Sequence, residues 1–379
     1  MPNNTLEKWD EKTLGELCDV LDSRRKPITK KDRVAGVYPY YGATGILDYV
    51  SGWIFDEELV LLGEDGAKWT SGEQSAFKIN GKTWVNNHAH VLRPKRDRIS
   101  DTYLIYNLNF QNLMPYITGT TVPKLNQEKM RSITIQLPPL PEQERIVAKL
   151  DKAFEAIDKV KANAEKNLNN AKELFESYLN NIFNNINASF NKKLSDVTKI
   201  VGGGTPSKST PTYYQGNIPW ATVRDMNEYD LSKTEFSITN EAVKSSATNI
   251  IPANNVIIAT RVGLGKVCIL MQDTAINQDL KGIIPTKPMN FKYLFWWFKS
   301  IKNKIEEAGV GATVKGVKLP FVQNLQIPYI SINDQQKIVE KLDALQEQTK
   351  RLEQIYTQKI KECDELKQSI LQKAFRGEL

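Results

Sequence analysis

The sequence has few of the residues on which metal sites and nucleophilic enzymes commonly depend. Its 379 residues include three cysteines and two histidines. Cys18, Cys268 and Cys363 are far apart and odd in number, so they predict neither a disulfide framework nor a CxxC metal site. This usage is typical of a reducing compartment, and we expect a cytoplasmic protein. With His88 and His90 alone, the sequence offers little for a Ser-His-Asp or Cys-His mechanism.

Long hydrophobic runs are also absent. No apolar stretch reaches the roughly 18 residues that suggest a membrane-spanning helix, and the polar start, MPNNTLEKWDEKTL, lacks the apolar segment of a signal peptide. We therefore expect no membrane association. The net charge is +7, yet segments 141–187 and 333–379 together carry −1. The positive excess lies in the rest of the chain, where a surface that faces phosphates would use it.

The chain contains an internal repeat. Residues 141–151 (PEQERIVAKLD) and 333–343 (NDQQKIVEKLD) are identical at six of eleven positions, at an offset of 192. The match continues upstream at the same offset, where Gly119-Thr-Thr-Val122 meets Gly311-Ala-Thr-Val314 and Ile133-Thr-Ile135 meets Leu325-Gln-Ile327, and Leu179 and Phe183 likewise match Leu371 and Phe375. Further back the offset drifts by a few residues, as loop insertions would cause. The pairs there are Leu14-Gly-Glu-Leu17 with Leu194-Ser-Asp-Val197, Tyr38-Pro-Tyr40 with Ile218-Pro-Trp220, and Val85-Asn86 with Ile276-Asn277. Two divergent copies of one unit are indicated.

Each copy consists of a strand-rich part followed by one long helix. Short apolar runs bounded by Gly, Pro, Asn and Asp predict strands, and the clearest are 58–63, 76–79, 255–260 and 266–271. Prolines at 138, 139 and 141 end the strand that precedes the first helix. Asn333 or Asp334 is expected to cap the second helix.

Both helical segments carry apolar residues at alternating spacings of three and four for more than four heptads. The first series is Ile146, Leu150, Ala153, Ile157, Val160, Ala164, Asn167, Ala171, Leu174 and Tyr178; the second is Ile338, Leu342, Leu345, Thr349, Leu352, Tyr356, Lys359, Cys363, Leu366 and Ile370. A helix of ~40 residues is ~60 Å long, which is too long for one small domain to cover. We therefore expect the helices to cover each other, although a single amphipathic helix packed on a domain remains an alternative.

The predicted fold class is α+β. Two mixed, strand-rich globular domains are expected to be joined by two long antiparallel helices that form a coiled coil, which gives a pseudo-two-fold repeat. The expected boundaries are 1–140 for the first globular domain, 141–187 for the first helix, 188–332 for the second globular domain and 333–379 for the second helix.

Three motifs of catalytic or ligand-binding sites are incomplete. Residues 202–209 resemble a Walker A loop, but Ser207 replaces the second glycine, so we expect a flexible loop whose Lys208 and backbone N–H groups suit a phosphate. Asn217-Ile-Pro-Trp220 lacks the first proline of the amino-methyltransferase tetrapeptide, and no glycine-rich loop for S-adenosylmethionine accompanies it. His88 and His90 would share one face of a strand, but no nearby Cys or carboxylate completes a zinc site. We predict no catalytic residues and no metal ligands.

Basic residues stand beside glycines and aromatics in the strand-rich parts. Arg can contact guanine in the major groove, and Lys can hold a phosphate. For any single residue, a solvated surface charge is the simpler interpretation. The candidate DNA-binding residues are Arg24, Arg25, Lys26, Lys68, Trp69, His88, Lys208, Arg224, Arg261, Lys266 and Lys315.

Several segments are specific enough to indicate a family. The most specific are PPLPEQERIV (138–147), its copy Asp334-Gln-Gln-Lys-Ile-Val339 and the closing LQKAFRGEL (371–379), and further ones are Gly203-Gly-Thr-Pro-Ser207, Ile276-Asn-Gln-Asp279 and Asn87-His-Ala-His90. With these segments, and over essentially its whole length, the sequence resembles the specificity subunits of type I restriction–modification enzymes. The order of globular part, helix, globular part and helix is that of the family.

The resemblance implies a non-catalytic subunit with two target-recognition domains, each of which binds one half of a bipartite site in double-stranded DNA. Adenine methylation or cleavage would be carried out by partners. The helices would act as a spacer and would dock two methyltransferase subunits, and two restriction (translocase and nuclease) subunits would join. S-adenosylmethionine, ATP and Mg²⁺ would be bound by those partners. Two alternatives remain: a coiled-coil scaffold that does not bind DNA, and a self-contained DNA methyltransferase.

Overall fold

The computed structural model describes residues 9–226, 229–311 and 315–379. The first eight residues of the polar start, and three residues of the repeat match Gly311-Ala-Thr-Val314, lie outside the described part. The chain forms two compact units. The first unit is Met1–Glu165 with Thr357–Leu379, and the second is Lys166–Tyr356, each as far as it is described. None of the described helices is long and apolar enough to cross a membrane.

The described part of the first unit contains ten strands: β1 (Asp10–Thr13), β2 (Cys18–Val20), β3 (Ala35–Gly42), β4 (Gly45–Val50), β5 (Phe55–Asp56), β6 (Leu59–Gly63), β7 (Ala76–Ile79), β8 (Lys82–Val85), β9 (Ala89–Pro94) and β10 (Thr134–Leu137). Its helices are α1 (Leu14–Leu17), α2 (Asp101–Phe110), α3 (Gln127–Arg131) and the first part of α4 (Leu140–Asn184). The strands form two four-stranded sheets, β2-β9-β6-β7 and β4-β3-β8-β5, and a separate β1-β10 pair.

The second unit contains the strands β11 (Asn191–Lys193), β12 (Thr198–Gly202), β13 (Ile218–Ala221), β14 (Asp230–Leu231), β15 (Phe236–Ile238), β16 (Asn249–Ile251), β17 (Val256–Ala259), β18 (Val267–Leu270), β19 (Thr274–Ile276), β20 (Leu280–Pro285) and β21 (Gln326–Pro328). Its helices are α5 (Leu194–Val197), α6 (Asn240–Lys244), α7 (Phe291–Ser300), α8 (Lys302–Glu307), α9 (Leu319–Gln323) and most of α10 (Ile332–Phe375). The sheets are β12-β20-β17-β18-β14 and β15-β13-β19-β16, with a separate β11-β21 pair.

The two units repeat one order of strand pairing. Sheet β2-β9-β6-β7 corresponds to β12-β20-β17-β18, and sheet β4-β3-β8-β5 corresponds to β15-β13-β19-β16. In each unit the second sheet holds one parallel pair, β3 with β8 and β13 with β19, between antiparallel neighbours. The matched sequences LGEL and LSDV form the four-residue helices α1 and α5. The predicted internal repeat is therefore confirmed.

The central strand of each unit serves two hydrophobic cores. Alternate residues of a strand face opposite sides, so Leu59 and Leu61 of β6 pack between the two sheets, while Val60 and Leu62 pack towards the helices. Strand β17 divides its residues in the same way between two clusters. All five residues of β6 and all four of β17 are buried, which explains why these runs are continuously apolar.

Both long helices are present, but one predicted cap is wrong. Helix α4 begins at Leu140, so Pro141 lies in the first turn, where its missing N–H costs no hydrogen bond. Helix α10 begins at Ile332, one residue before the predicted start. Its cap is Ser331, whose hydroxyl accepts a hydrogen bond from the backbone N–H of Asp334 at 3.2 Å.

The helices pair antiparallel. In the first unit, Lys161 Nζ lies 2.6 Å from Asp364 Oδ1, and Lys367 Nζ lies 2.6 Å from Asp158 Oδ1. Residue numbers therefore rise along one helix as they fall along the other. These ion pairs cross between the helices, so the helices cover each other as predicted.

Part of the predicted seam is displaced by one residue. The positions buried as predicted are Ile146, Leu150, Ile157, Ala164 and Ala171 on α4, and Leu342, Thr349 and Cys363 on α10. The prediction is wrong at Val160, Leu174, Leu352 and Leu366, which are exposed. The covered positions are Phe154, Lys161, Leu168 and Phe175 on α4, and Gln346, Glu353, Ile360 and Lys367 on α10. Several of these residues are polar, and Lys161 and Lys367 are covered because each meets a carboxylate on the other helix.

Candidate nucleic-acid interface

Three loops of the first unit are held together by main-chain hydrogen bonds. The N–H of Glu64 donates to the carbonyl of His88 at 2.8 Å, and the N–H of Leu125 donates to the carbonyl of Glu64 at 2.8 Å. We call these loops the first loop cluster, which comprises residues 64–75, 86–88 and 117–126.

The second unit holds a matching set of loops with the same two bonds. Thr260 N–H donates to the carbonyl of Asp279 at 2.9 Å, and Val317 N–H donates to the carbonyl of Thr260 at 2.9 Å. Val317 and Leu125 are 192 positions apart, which is the offset of the sequence repeat. The second loop cluster comprises residues 260–266, 277–279, 309–311 and 315–318. One main-chain framework is therefore built twice.

Glycine is required at the same point in both loop clusters. Gly119 has φ +88° and Gly311 has φ +135°, values that side chains rarely adopt. A Cβ added at Gly119 would lie 2.4 Å from the carbonyl oxygen of Val122. The repeated glycine of the GTTV and GATV segments is thus explained by backbone geometry.

Four candidate residues of the first unit are exposed. Lys68 lies in the first loop cluster, 3.5 Å from Glu73, and His88 is half-exposed and bonded to Asp65. Lys26 is exposed. Arg24 is partly exposed, but its guanidinium contacts Glu57 at 3.4 Å and covers the ring of Phe55.

Two candidates of the first unit lie inside it, which corrects their expected exposure. Trp69 is buried in the core, and its Nε1 donates to the carbonyl of Gly63 at 3.1 Å. Arg25 is largely covered and bonded to Glu64 and to the carbonyl of Ala89, with its Nη2 3.4 Å from Asp22. Their side chains support the loops from beneath and do not present a surface to a ligand.

A buried charge network lies under the first loop cluster. His90 Nδ1 is 2.6 Å from Asp22 Oδ2, and its Nε2 is 2.7 Å from the carbonyl of Leu125. Both ring nitrogens face acceptors, so the ring is fully hydrogen-bonded when each nitrogen carries a proton. Lys124 Nζ reaches Glu64 at 2.8 Å. The network therefore ties the loop at 117–126 to strand β9 and to the turn after β2.

The two carboxyl groups of this network have lowered pKa values. Burial raises the pKa of Asp22, but the hydrogen bond and charge of His90 outweigh it and hold the pKa below its usual value. Burial likewise raises the pKa of Glu64, and hydrogen bonds from Lys124 and Arg25 outweigh it. Both groups are therefore ionised well below neutral pH.

The expected placement of His90 is wrong, but the expectation of no metal site remains a prediction. His88 lies in the turn before β9 while His90 is fully buried within it, so the two rings do not share a face. Asp22, Glu64 and His90 present ligand atoms within 4.8 Å of one another. Arg25 and Lys124 already neutralise these carboxylates, and His90 is bonded at both nitrogens, so the set does not fit a divalent cation.

The five candidates of the second unit come from neighbouring segments and are exposed: Lys208, Arg224, Arg261, Lys266 and Lys315. Arg261 lies 3.4 Å from Asp279, and its Cγ would lie 3.2 Å from a Cβ added at Gly316.

Two further contacts join their segments. Gly263 packs so closely on Val223, next to Arg224, that an added Cβ would lie 2.6 Å from it. Thr205, near Lys208, is hydrogen-bonded to Gln278 of the second loop cluster. Sequence reasoning missed Lys124 in the first unit and Lys281, whose pKa is lowered by burial. The sequence signal for Lys124 is its place in the segment GTTVPK (119–124), because the matching segment GATVKG (311–316) contains the candidate Lys315.

The fold and the two loop clusters define a two-unit repeat protein with a candidate nucleic-acid interface in each unit. The family model of the type I restriction modification DNA specificity domain matches residues 6–170 and 189–362. The chain belongs to this family.

Relatives differ in how much of the chain they match. A putative type I restriction enzyme specificity subunit of Haemophilus influenzae is 37% identical over 37% of this chain and 36% of its own length. The EcoR124I/EcoR124II specificity subunit of Escherichia coli is 36% identical over 40% of this chain and 39% of its own length. The chain thus matches little more than a third of these relatives. The putative MjaX specificity subunit of Methanocaldococcus jannaschii is 26% identical over 94% of this chain and 91% of its own.

Two solved structures share the fold. A chain from a study of complex assembly and conformational transition of the type I R-M system has a TM-score of 0.80 at 19% identity, with both chains fully covered. The HsdS subunit of Thermoanaerobacter tengcongensis has a TM-score of 0.59 at 18% identity. The match covers 99% of that subunit and all of this chain.

Proposed function

We propose that this chain is the DNA-recognition subunit of a type I restriction–modification complex and that each loop cluster binds one half of a bipartite DNA site. The observation that carries the proposal is the pair of loop clusters with one main-chain framework and different side chains. The first presents Lys68, His88 and Lys124, and the second presents Arg261 and Lys315. A shared framework with different side chains suits two half-sites of different sequence.

The chain would carry no catalytic step itself. Asn217-Ile-Pro-Trp220, the nearest match to a methyltransferase tetrapeptide, is part of strand β13 and the turn before it, and the ring of Trp220 is buried with its Nε1 bonded to the carbonyl of Gly204 at 3.1 Å. S-adenosylmethionine, ATP and Mg²⁺ would be bound by partner subunits, as the family resemblance implies. We also propose a cytoplasmic location, with which three buried cysteines, none of them in a disulfide within the described residues, are compatible.

The two loop clusters should be separable by mutation. Arg261→Ala is expected to alter recognition of one half-site only, with a loss of roughly 1–3 kcal/mol if Arg261 contacts a base. Lys266→Ala, if it removes a phosphate contact, should weaken binding to all DNA sequences alike. It should also reduce by about one the slope of the logarithm of the binding constant against the logarithm of the salt concentration. Selection of bound duplexes from a random pool, followed by titrations at several salt concentrations, measures both effects.

Lys287→Ala is the matched control, because Lys287 is exposed but follows the far end of β20 from the second loop cluster. It should leave the selected sequence unchanged. If Arg261→Ala reduces the sequence preference at both half-sites, the proposal that each loop cluster binds its own half-site is contradicted. Absence of any salt-sensitive DNA binding by the wild type would favour the scaffold alternative.

We further propose that two methyltransferase subunits dock on the outer faces of α4 and α10. Val160 and Leu352 are 42% and 41% exposed, and Leu174 and Leu366 are 68% and 49% exposed. Each pair is 192 positions apart, so equivalent apolar side chains are presented once on each helix. Two equal surfaces support two copies of one partner.

Leu174→Glu and Leu366→Glu should each remove one methyltransferase subunit from the assembly, because each places a charge in one of two equal interfaces. Mass measurement of the co-expressed complex is expected to give one chain with two partners for the wild type and one with one partner for each variant. Ile250→Glu, at an exposed apolar residue of β16, is the control and should leave two methyltransferase subunits bound. A wild-type complex of one to one at saturating partner would refute this stoichiometry.

A further inference from the structure

We propose that the β3–β4 hairpin of the first unit, here called the apolar ribbon, enters the major groove of the first half-site and contacts the methyl groups of thymines. This inference rests on the proposed DNA-recognition function and extends it to a base type. Its basis is a set of exposed apolar side chains that the corresponding described strands of the second unit do not share.

The apolar ribbon exposes large apolar side chains along a sheet edge. Strand β4 is the outermost strand of its sheet. The exposed fractions are 77% for Val37, 47% for Ile46, 53% for Leu47 and 51% for Tyr49. Exposed apolar patches in a folded protein commonly mark a binding surface, so this edge is expected to be covered by a ligand.

The corresponding strands of the second unit do not form such a ribbon. In the first unit, residues 43 and 44 alone connect β3 to β4, whereas β13 and β15 are connected by residues 222–235, which include strand β14 of the other sheet. Among the large apolar residues described in β13 and β15, Phe236 is the exposed one. The ribbon is therefore a feature of one unit.

This asymmetry identifies the occupant as DNA. Two copies of one methyltransferase subunit need equal surfaces on the two units, whereas two half-sites of different sequence need different ones. The major groove admits a two-stranded ribbon, and thymine is the base that presents a methyl group there. Apolar side chains at this edge match that methyl group in chemistry.

The ribbon also adjoins groups that suit phosphates and the first loop cluster. A Cβ added at Gly63, where β6 enters that cluster, would lie 3.2 Å from the carbonyl oxygen of Ala43 in the ribbon turn. Asn86 N–H donates to the carbonyl of Tyr41 at 3.1 Å. Exposed lysines flank the ribbon at positions 30 and 31 and at Lys82, whose Nζ lies 4.1 Å from the ring centroid of Trp53.

The test removes the thymine methyl group and the ribbon side chain in turn. The full chain selects its site from random duplexes, and the first half-site is the half whose selection Arg261→Ala leaves unchanged. Each thymine there is then replaced by uracil. Wild type should lose about fourfold in affinity per contacted methyl group, the equivalent of ~0.8 kcal/mol. For Leu47→Ser and Tyr49→Ser, the difference in affinity between the thymine duplex and the uracil duplex should be smaller than it is for wild type.

Phe236→Ala in the second unit is the matched control and should keep the full thymine preference in the first half-site. The inference is overturned if uracil has no effect on wild type, if both ribbon variants keep the full preference, or if the selected first half-site contains no thymine on either strand. Failure of the wild type to select any sequence would instead refute the proposed function.

Discussion

Asp22→Asn is expected to lower the free energy of unfolding of the first unit by about 1–3 kcal/mol, because it removes one of the two buried carboxylates beside His90 and Arg25. Asp22 contacts both His90 and Arg25, and its other carboxylate oxygen accepts from the N–H of Val91 at 2.8 Å. The asparagine side chain fits the same space and can keep the bond to Val91, so the loss reports on charge. Denaturant unfolding of the full chain, with hydrogen exchange to resolve the units, measures it.

The same variant should change how stability depends on pH. The folded-state pKa values of Asp22 and Glu64 lie below their ordinary values. Their contribution is therefore fully present above the unfolded-state pKa of about 4 and is lost as the pH falls through the lower folded-state pKa. Asp22→Asn should flatten this acid-side decline.

Asp158→Asn provides the control, since its ion pair with Lys367 is partly exposed and should contribute about 1 kcal/mol or less. Equal losses for the two variants, or an unchanged acid-side decline in Asp22→Asn, would contradict the interpretation of the network as a buried support of the first loop cluster.

Phe375→Ala is expected to destabilise the first unit by about 3 kcal/mol, although it lies more than 260 residues from the ring it stacks on. Its ring centroid is 5.2 Å from that of Phe110 in a stacked arrangement and 5.5 Å from that of Tyr103. Leu371 and Ala374 belong to the same buried cluster. The end of α10 thus completes the core of the first unit.

Phe183→Ala is the matched variant, because Phe183 occupies the equivalent repeat position and packs on Tyr293 with centroids 5.3 Å apart. Hydrogen exchange should show reduced protection in the first unit for Phe375→Ala and in the second unit for Phe183→Ala. Loss of protection in the opposite unit for either variant would refute this assignment of the helix ends.

Sequence patterns were sufficient for the repeat, the strands and the long helices because each leaves a local or periodic trace. The offset of 192 also places Leu125 opposite Val317, whose N–H groups make equivalent main-chain hydrogen bonds, and runs such as 58–63 and 255–260 are strands with two buried faces. The seam shows the limit of periodicity. Leu174 and Phe175 are both apolar neighbours on α4, and spacing alone does not distinguish which of them faces inwards.

The candidate site was harder to predict because its environment is assembled from distant segments. His90 looked exposed since no acid stands near it in sequence, yet it is bonded to Asp22, 68 residues away. Arg25 and Trp69 are candidates by their chemistry, but their burial depends on Glu64 and Gly63, which only the fold brings into contact with them. Whether the exposed candidates contact DNA remains a prediction.

The division of the chain into units also orders events during synthesis. The second unit is one continuous stretch, Lys166–Tyr356, whereas the first needs Thr357–Leu379 to complete it. At roughly 5–20 residues per second, a ribosome needs on the order of ten seconds or more to reach that segment after it has translated Glu165. The N-terminal strands must wait through this interval with part of their core uncovered. The half of the protein that is made first is therefore the half that is finished last, and it is the half that would depend more on chaperones during translation.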